Sequence, residues 1–190
     1  PHGLNAVPEM LWVKKRSDTA NWAVYHKGLN GGTNPEEYYL KLDSADGEDN
    51  TGPASEHWAD TAPTATHFTL GSTNRTNNSN GTYIAMLFAS VDGISKVGYY
   101  DGSSSVQTIT TGFQPRFVFV KRANGVASWS AFDSIRGWTG NADGDKMLSF
   151  DNDGAEMDLS FGSILSTGFT VKVATDWNEA NSKYIYYAHA

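Results

Sequence analysis

The stretch TTGFQPRFVFVKRA, residues 110–123, decides the fold, because residues 1–16, PHGLNAVPEMLWVKKR, say nearly the same thing. Both run from Gly and an apolar residue to a Pro, then through a mostly apolar centre to a Lys with a basic neighbour. The echo continues down the chain. Pro8 answers Pro115 and Trp22 answers Trp129 at an offset of 107 residues, and YYLKLDS (38–44) answers KMLSFDN (146–152) at 108. HFTLGS (67–72) then answers GFTVKV (168–173), and GTYIAMLFA (81–89) answers SKYIYYAHA (182–190), both at 101. Internal similarity at a long period is the mark of a repeated structural unit. The fall in offset puts seven extra residues of the first copy between Leu42 and Phe68, in a polar Gly- and Pro-containing stretch, where a surface loop tolerates length change.

Each matched block reads as a strand. The centres of EMLWVKK and RFVFVKR are apolar at every position, as in a strand covered on both faces, and Pro8 and Pro115 stand at the strand entry, where a missing N–H costs least. Lys14 and Lys121 are expected where the strand surfaces, and Lys14-Lys15-Arg16 as a solvated strand end. Trp22 with Val24, and Trp129 with Ala131, are expected in the core, while Tyr25 and Phe132 face the other way. FTL and FTV follow a period of two with Phe and Leu or Val inward. Asn-Gly and Asp-Gly turns punctuate the intervals. The expectation is an all-β chain of two tandem antiparallel β-sandwich modules of jelly-roll or lectin-like type. Their bounds are 1–92 and 93–190, the boundary falls near Val91 to Ile94, and the first module lacks its opening strand. An upstream segment or a neighbouring subunit would then complete it, since an unpaired edge is a liability.

Composition limits the function. The net charge of −7 and the scattered Lys and Arg argue against nucleic acid, and the absence of Cys removes disulfides and thiolate chemistry. No stretch is long and apolar enough for a membrane helix. His2, His26, His57, His67 and His189 form no H-E-x-x-H or H-x-H pattern, and no G-x-S-x-G elbow occurs, so no catalytic residue and no cofactor are expected. Oxygen ligands alternate in NADGDK (141–146) and DNDGAEMD (151–158), making Asp143, Asp145, Asp151 and Asp153 weak calcium candidates. The register places Gly162 where an EF-hand needs its bidentate Glu, so these read first as turn formers.

A sugar site on a β-sandwich pairs an exposed aromatic face with amide and carboxylate groups. The loop tryptophans Trp58, Trp138 and Trp177 are the candidate platforms, with His57, Asn74 and Asn77 as polar contacts. STNRTNNSNGT (72–82) fits the N-x-[ST] pattern three times, but reads as a polar hairpin loop ending in Asn-Gly. Its counterpart ATDWNEANS lies at the same end of its module, so the two loops could share a recognition surface.

The chain resembles repeat modules of tailed-bacteriophage tail-fibre and virion structural proteins. The resemblance runs nearly end to end. Its most specific pieces are Asn21 to Leu29 (NWAVYHKGL), Gly112 to Pro115 with Phe119-Val120-Lys121, and Phe132 to Gly137 (FDSIRG). It implies β-sandwich building blocks of long virion proteins, often beside lectin-like domains, and carries over no catalytic residue. The expected protein is thus a non-enzymatic virion module, extracellular on the particle, contributing to attachment to a bacterial surface glycan. Its partners would be other virion subunits, in a homo-oligomer. A purely structural shaft, tube or capsid decoration and a polysaccharide-degrading tailspike-like domain are the alternatives.

Overall fold

The computed structural model describes residues 1–51, 55–140, 144–173 and 175–190 and is almost entirely β. The echoed segments form two sheets of matching order. In the first, β1 (Met10–Lys15) lies between β2 (Ala23–His26) and β4 (Tyr83–Phe88), and β3 (Leu40–Lys41) flanks β2, giving β3-β2-β1-β4. The second contains β5 (Ser95–Asp101), β7 (Phe117–Arg122), β8 (Ser130–Asp133), β9 (Asp145–Ser149), β10 (Met157–Leu159) and β13 (Lys183–His189), in the order β10-β9-β8-β7-β13-β5. A third sheet sets β12 (Gly168–Val171) between β11 (Ile164–Leu165) and β6 (Gln107–Thr110). Every pairing is antiparallel.

The registers coincide residue for residue. Met10 faces His26 as Phe117 faces Asp133, and Lys15 faces Tyr83 as Arg122 faces Tyr184. Val24 faces Leu40 as Ala131 faces Leu148. These are the pairs that the offsets of 107, 101 and 108 connect. Because side chains alternate between faces, a slip of one residue would have reversed every inward position.

Alternation on β1 and β7 explains the layering. Met10 and Trp12 point from the first sheet onto Phe119, Trp129, Ala131 and Ile185 of the second, with Val24, Leu40 and Phe88 in the same cluster. The two sheets therefore meet through the same face of each. Trp12 and Phe119, equivalent in the repeat, touch at a ring-centroid distance of 5.7 Å. The outer face of the second sheet, with Val118, Val120, Phe132, Met147, Tyr184 and Tyr186, is covered by the third sheet through Ile109, Phe169 and Val171. The outer face of the first, with Leu11, Val13, Ala23 and Tyr25, is covered by Trp58 of α1 (Ser55–Trp58) together with Phe68 and Leu70. Complete burial of a large apolar side chain contributes roughly 1.5–3 kcal/mol, so these three clusters hold the fold.

Three expectations need correction. HFTLGS (67–72) is not a strand. In the second copy β12 is held by β6 on one side, with Phe169 opposite Ile109. The residue corresponding to Ile109 is His2, whose ring stacks on Phe68 at 6.3 Å, but only one backbone bond, His2 N–H to Thr66 O at 2.9 Å, joins the two segments. Trp22 is half-buried, whereas Trp129 is fully buried with its indole N–H donated to Lys41 O at 2.8 Å. Lys121 and Lys15 do not surface as expected, although Lys14 is half-buried and Arg16 exposed. Lys121 is fully buried because Ala45 O, Arg122 O and Gly125 O replace water around its Nζ, at 3.2, 2.8 and 3.4 Å. Lys15, also buried, reaches Asn74 Oδ1 at 2.5 Å and Asp18 at 3.4 Å.

Residues 91–94 form the turn from β4 to β5, closed by the Val91–Ser95 bridge. Among the described residues no helix is long and apolar enough to cross a membrane.

Candidate functional site

The loop tryptophans are not platforms. Trp58 is 2% exposed, Trp138 1% and Trp177 7%. Trp58 donates its indole N–H to Tyr38 O at 2.9 Å and Trp138 to Gly162 O at 2.8 Å, so burial leaves both satisfied. Trp177 stands edge-on to Phe132 and Phe161, with centroids at 5.4 and 5.5 Å. Set among polar residues these rings make candidate platforms, yet a sheet with two apolar faces needs large side chains from its loops to close it. His57 is buried as well, stacked on Tyr39 at 3.8 Å, and burial, with Arg75 nearby, lowers its pKa to about 4.

Two of the calcium candidates, Asp145 and Asp151, hold backbone groups in place. Asp145 is fully buried and its carboxylate accepts the backbone N–H groups of Thr139, Gly140, Phe161 and Gly162 at 2.9–3.3 Å, leaving no lone pair facing a cation site. Asp151 accepts Trp129 N–H at 3.0 Å, as Asp43 accepts Trp22 N–H at 3.2 Å in the first copy. Asp153 is exposed, Asp143 lies outside the described residues, and no group of three metal-ligating side chains occurs among the described ones.

What the structure does assemble is a pair of clefts. One, of about 460 Å3, lies between Thr19–Asn21, Asp43, Glu56 and Thr73–Arg75. The other, of about 340 Å3, is lined by Val126–Ser128, Arg122, Ser130, Met147, Met157, Asp176 and Trp177. Residues 19–21 correspond to 126–128 at offset 107, and Arg75 corresponds to Asp176 at offset 101. The clefts are thus built from equivalent loops, the β1–β2 and β7–β8 connections and the segments leading into β4 and β13. Each leading segment turns at an equivalent Asn of positive φ, Asn80 at 64° and Asn181 at 66°. Both loops are tied to one short stretch: Asn21 Nδ2 and Trp22 N–H to Asp43, and Ala127 N–H to Ala45 O. The clefts therefore open at one end of the molecule.

Their chemistry differs. The first is lined by polar side chains apart from Ala20. Its Asn74 also contacts Lys15, and its Arg75 guanidinium lies 5.5 Å from the Tyr39 ring centre and bonds Tyr39 Oη at 3.4 Å. Burial, then the bond to Asp49, raises the Tyr39 pKa, so the phenol remains a neutral donor. The second is lined by the apolar Met147, Met157 and Leu159 together with Arg122. Arg122 pairs with Glu179 through one terminal nitrogen, while its Nε is buried and has no partner. Gly125 makes room for this guanidinium, since a Cβ there would stand 2.7 Å from Nε. A buried N–H donor without an acceptor costs about 1–3 kcal/mol. Of the residues proposed from sequence, Asn74 lines the first cleft and Trp177 the second. Asn77 is exposed, and Trp58, His57 and Trp138 line neither cleft. Asn21, Asp43, Arg75, Arg122 and Asp176 were missed. The repeat alignment, applied to the loops as well as the strands, locates the loops that carry them, although most of these side chains differ between copies.

These features define an all-β, layered sandwich protein with two equivalent clefts at one end. The chain belongs to a family described as a domain of unknown function, DUF7483, whose model matches residues 1–190. No curated protein and no solved structure matches it.

Proposed function

We propose that the chain is a non-enzymatic structural module of two tandem β repeats, of the kind found in virion surface proteins, that binds a bacterial surface glycan in the end clefts. One observation carries this reading: equivalent loops of the two repeats line clefts at the same end, one with amide, carboxylate and guanidinium groups, the other with Arg122 beside the apolar Met147 and Met157. A glycan offers alternating hydroxyl and C–H surfaces, which such a pair of sites can meet twice, and two weak contacts on a repetitive polymer add through avidity. The matched strand registers support the tandem organisation.

The test is retention of the chain on capsular and lipopolysaccharide glycans. Arg122→Ala and Asn74→Ala should each weaken binding about tenfold, the loss of one charge-assisted or two neutral hydrogen bonds. Uniform absence of retention would remove the adhesive part, and release of oligosaccharides would remove the non-enzymatic part. A purely structural role is the second reading, favoured by the burial of Trp58, Trp138 and Trp177, which leaves no aromatic platform among them.

A further inference from the structure

β4 and β13 occupy the same place in their sheets but end differently. On one side β13 pairs with β7, and on the other with β5 along seven residues, Lys183 opposite Asp101 through His189 opposite Ser95. The equivalent strand β4 pairs with β1 alone and is the edge of its sheet. The antiparallel alternation fixes which groups are free. Arg16 N–H bonds Thr82 O at 2.7 Å, so every second residue from Thr82 bonds β1, and Tyr83, Ala85 and Leu87 direct their N–H and C=O groups outward. Their equivalents are Tyr184, Tyr186 and Ala188, which face Tyr100, Gly98 and Lys96 of β5.

Nothing in β4 guards this edge. Its sequence, YIAMLF, has no charge, no Pro and no Gly, the devices that keep edge strands from pairing. Ile84 and Met86 are 43% and 40% exposed, whereas Ile185, equivalent to Ile84, is fully buried in a cluster that includes Val97 of β5. The outer edge of β5, in contrast, is occupied: Val97 N–H bonds Ser90 Oγ, Ser95 N–H bonds Val91 O, and Gln107 Nε2 bonds Asp101 O.

We infer that β4 is an acceptor edge for an antiparallel strand of the β5 kind, contributed by a neighbouring repeat of the same type. The occupant follows from the internal precedent. In the pairing that β5 makes with β13, an apolar residue at the Val97 position lies opposite Met86, and an aromatic at the Tyr100 position lies opposite Tyr83, as Tyr100 stacks on Tyr184 at 5.0 Å. Gly98 is required beside β13 because a Cβ would stand 2.4 Å from the Tyr186 ring. Ala85 replaces that ring in β4, so the acceptor accommodates a side chain there. Strand addition draws affinity from main-chain bonds and specificity from alternate side chains, and both are available at this edge.

The experiment places a copy of residues 93–107 directly ahead of Pro1, the spacing that the offset of 107 dictates, and compares the extended protein with the original chain by amide hydrogen exchange. Exchange at Tyr83, Ala85 and Leu87 should slow by about tenfold or more in the extended protein, with a higher Tm. A second extension carrying K96P and G98P within the added copy should lose both effects. It leaves the host sequence untouched, so folding of the host is not in question. Unchanged exchange at the three amides in the extended protein would overturn the inference. So would protection already present in the original chain together with a dimeric mass, which would assign the edge to β4–β4 pairing between two copies.

Discussion

Trp12 and Phe119 hold equivalent positions 107 residues apart and touch each other across the two facing sheets. In an interface formed by the same patch from both sides, only positions near its centre meet their own equivalents. The pair therefore marks the middle of the shared core. Phe119→Ala should cost about 3–5 kcal/mol in urea unfolding, and the double variant Trp12→Ala, Phe119→Ala should fall short of the sum of the singles by about 1 kcal/mol. Trp12→Phe is the informative control. The indole Nε1 of Trp12 is buried without a partner, so its removal should leave stability within about 1 kcal/mol of the original despite the smaller ring.

Asp145 is expected to behave as a backbone clamp. Asp145→Ala would strand four backbone N–H groups and should cost about 4 kcal/mol or more, a large part of a typical domain's stability. Asp153→Ala should stay within about 0.5 kcal/mol, as for other exposed positions. Thermal unfolding with added calcium and with a chelator should give the same Tm.

Acid sensitivity should centre on His26. It is fully buried, accepts Gly28 N–H through Nδ1 at 2.9 Å and faces Tyr186 O through Nε2 at 3.3 Å. Burial lowers its pKa from 6.5 to about 3. The unfolded chain binds the proton first, so stability is full above pH 6.5 and falls as pH drops toward 3, by up to about 5 kcal/mol. His57, lowered to about 4, acts in the same direction. His26→Gln should flatten the slope of unfolding free energy between pH 6 and about 4.

Alkaline behaviour should first extend that slope and then reverse it. Burial brings Lys121 from 10.5 down to about 8, so the unfolded chain holds more protons between pH 8 and 10.5 and stability climbs through that window, by about 3 kcal/mol at most. Tyr25 and Tyr186 are raised by burial to about 12, and above pH 10 they pull stability down again. Lys121→Met should abolish the climb and keep the fall, as followed by denaturant titration across pH 7 to 11.

Gly98 and Tyr186 should be coupled. Gly98→Ala forces a Cβ to 2.4 Å from the ring and should cost about 1–3 kcal/mol. In a Tyr186→Ala background, which places Ala where the first copy has Ala85, the added penalty of Gly98→Ala should largely vanish.

The strands were legible because their pattern is set by two buried faces. Met10, Leu11, Trp12 and Val13 have to be apolar wherever the chain runs between two layers, and the offset of 107 carries that requirement to Phe117 through Val120. The echo gave which strands are equivalent, while their pairing partners came from the structure. Loop exposure was not legible. Trp58, Trp138 and Trp177 stand among polar neighbours in sequence, but the faces they close belong to strands far away in the chain, which no local pattern reports. Lys121 was misplaced for the same reason: the carbonyl of Ala45 that replaces its water comes from the other copy. The clefts lay between these cases, since the repeat located their loops while the charges lining them differ between copies and gave no echo.

The seven-residue difference between the copies falls between Leu42 and Phe68, outside the strands, while the registers agree at every matched pair. Length is thus absorbed where a layer has solvent behind it and forbidden where two layers press on each other. The outer covers differ in kind, Trp58 of a helix turn with Phe68 and Leu70 on one side and a three-stranded sheet on the other. Foreign segments grafted at the exposed positions 60–62, beyond the buried Trp58, should be carried without disturbing the shared interior.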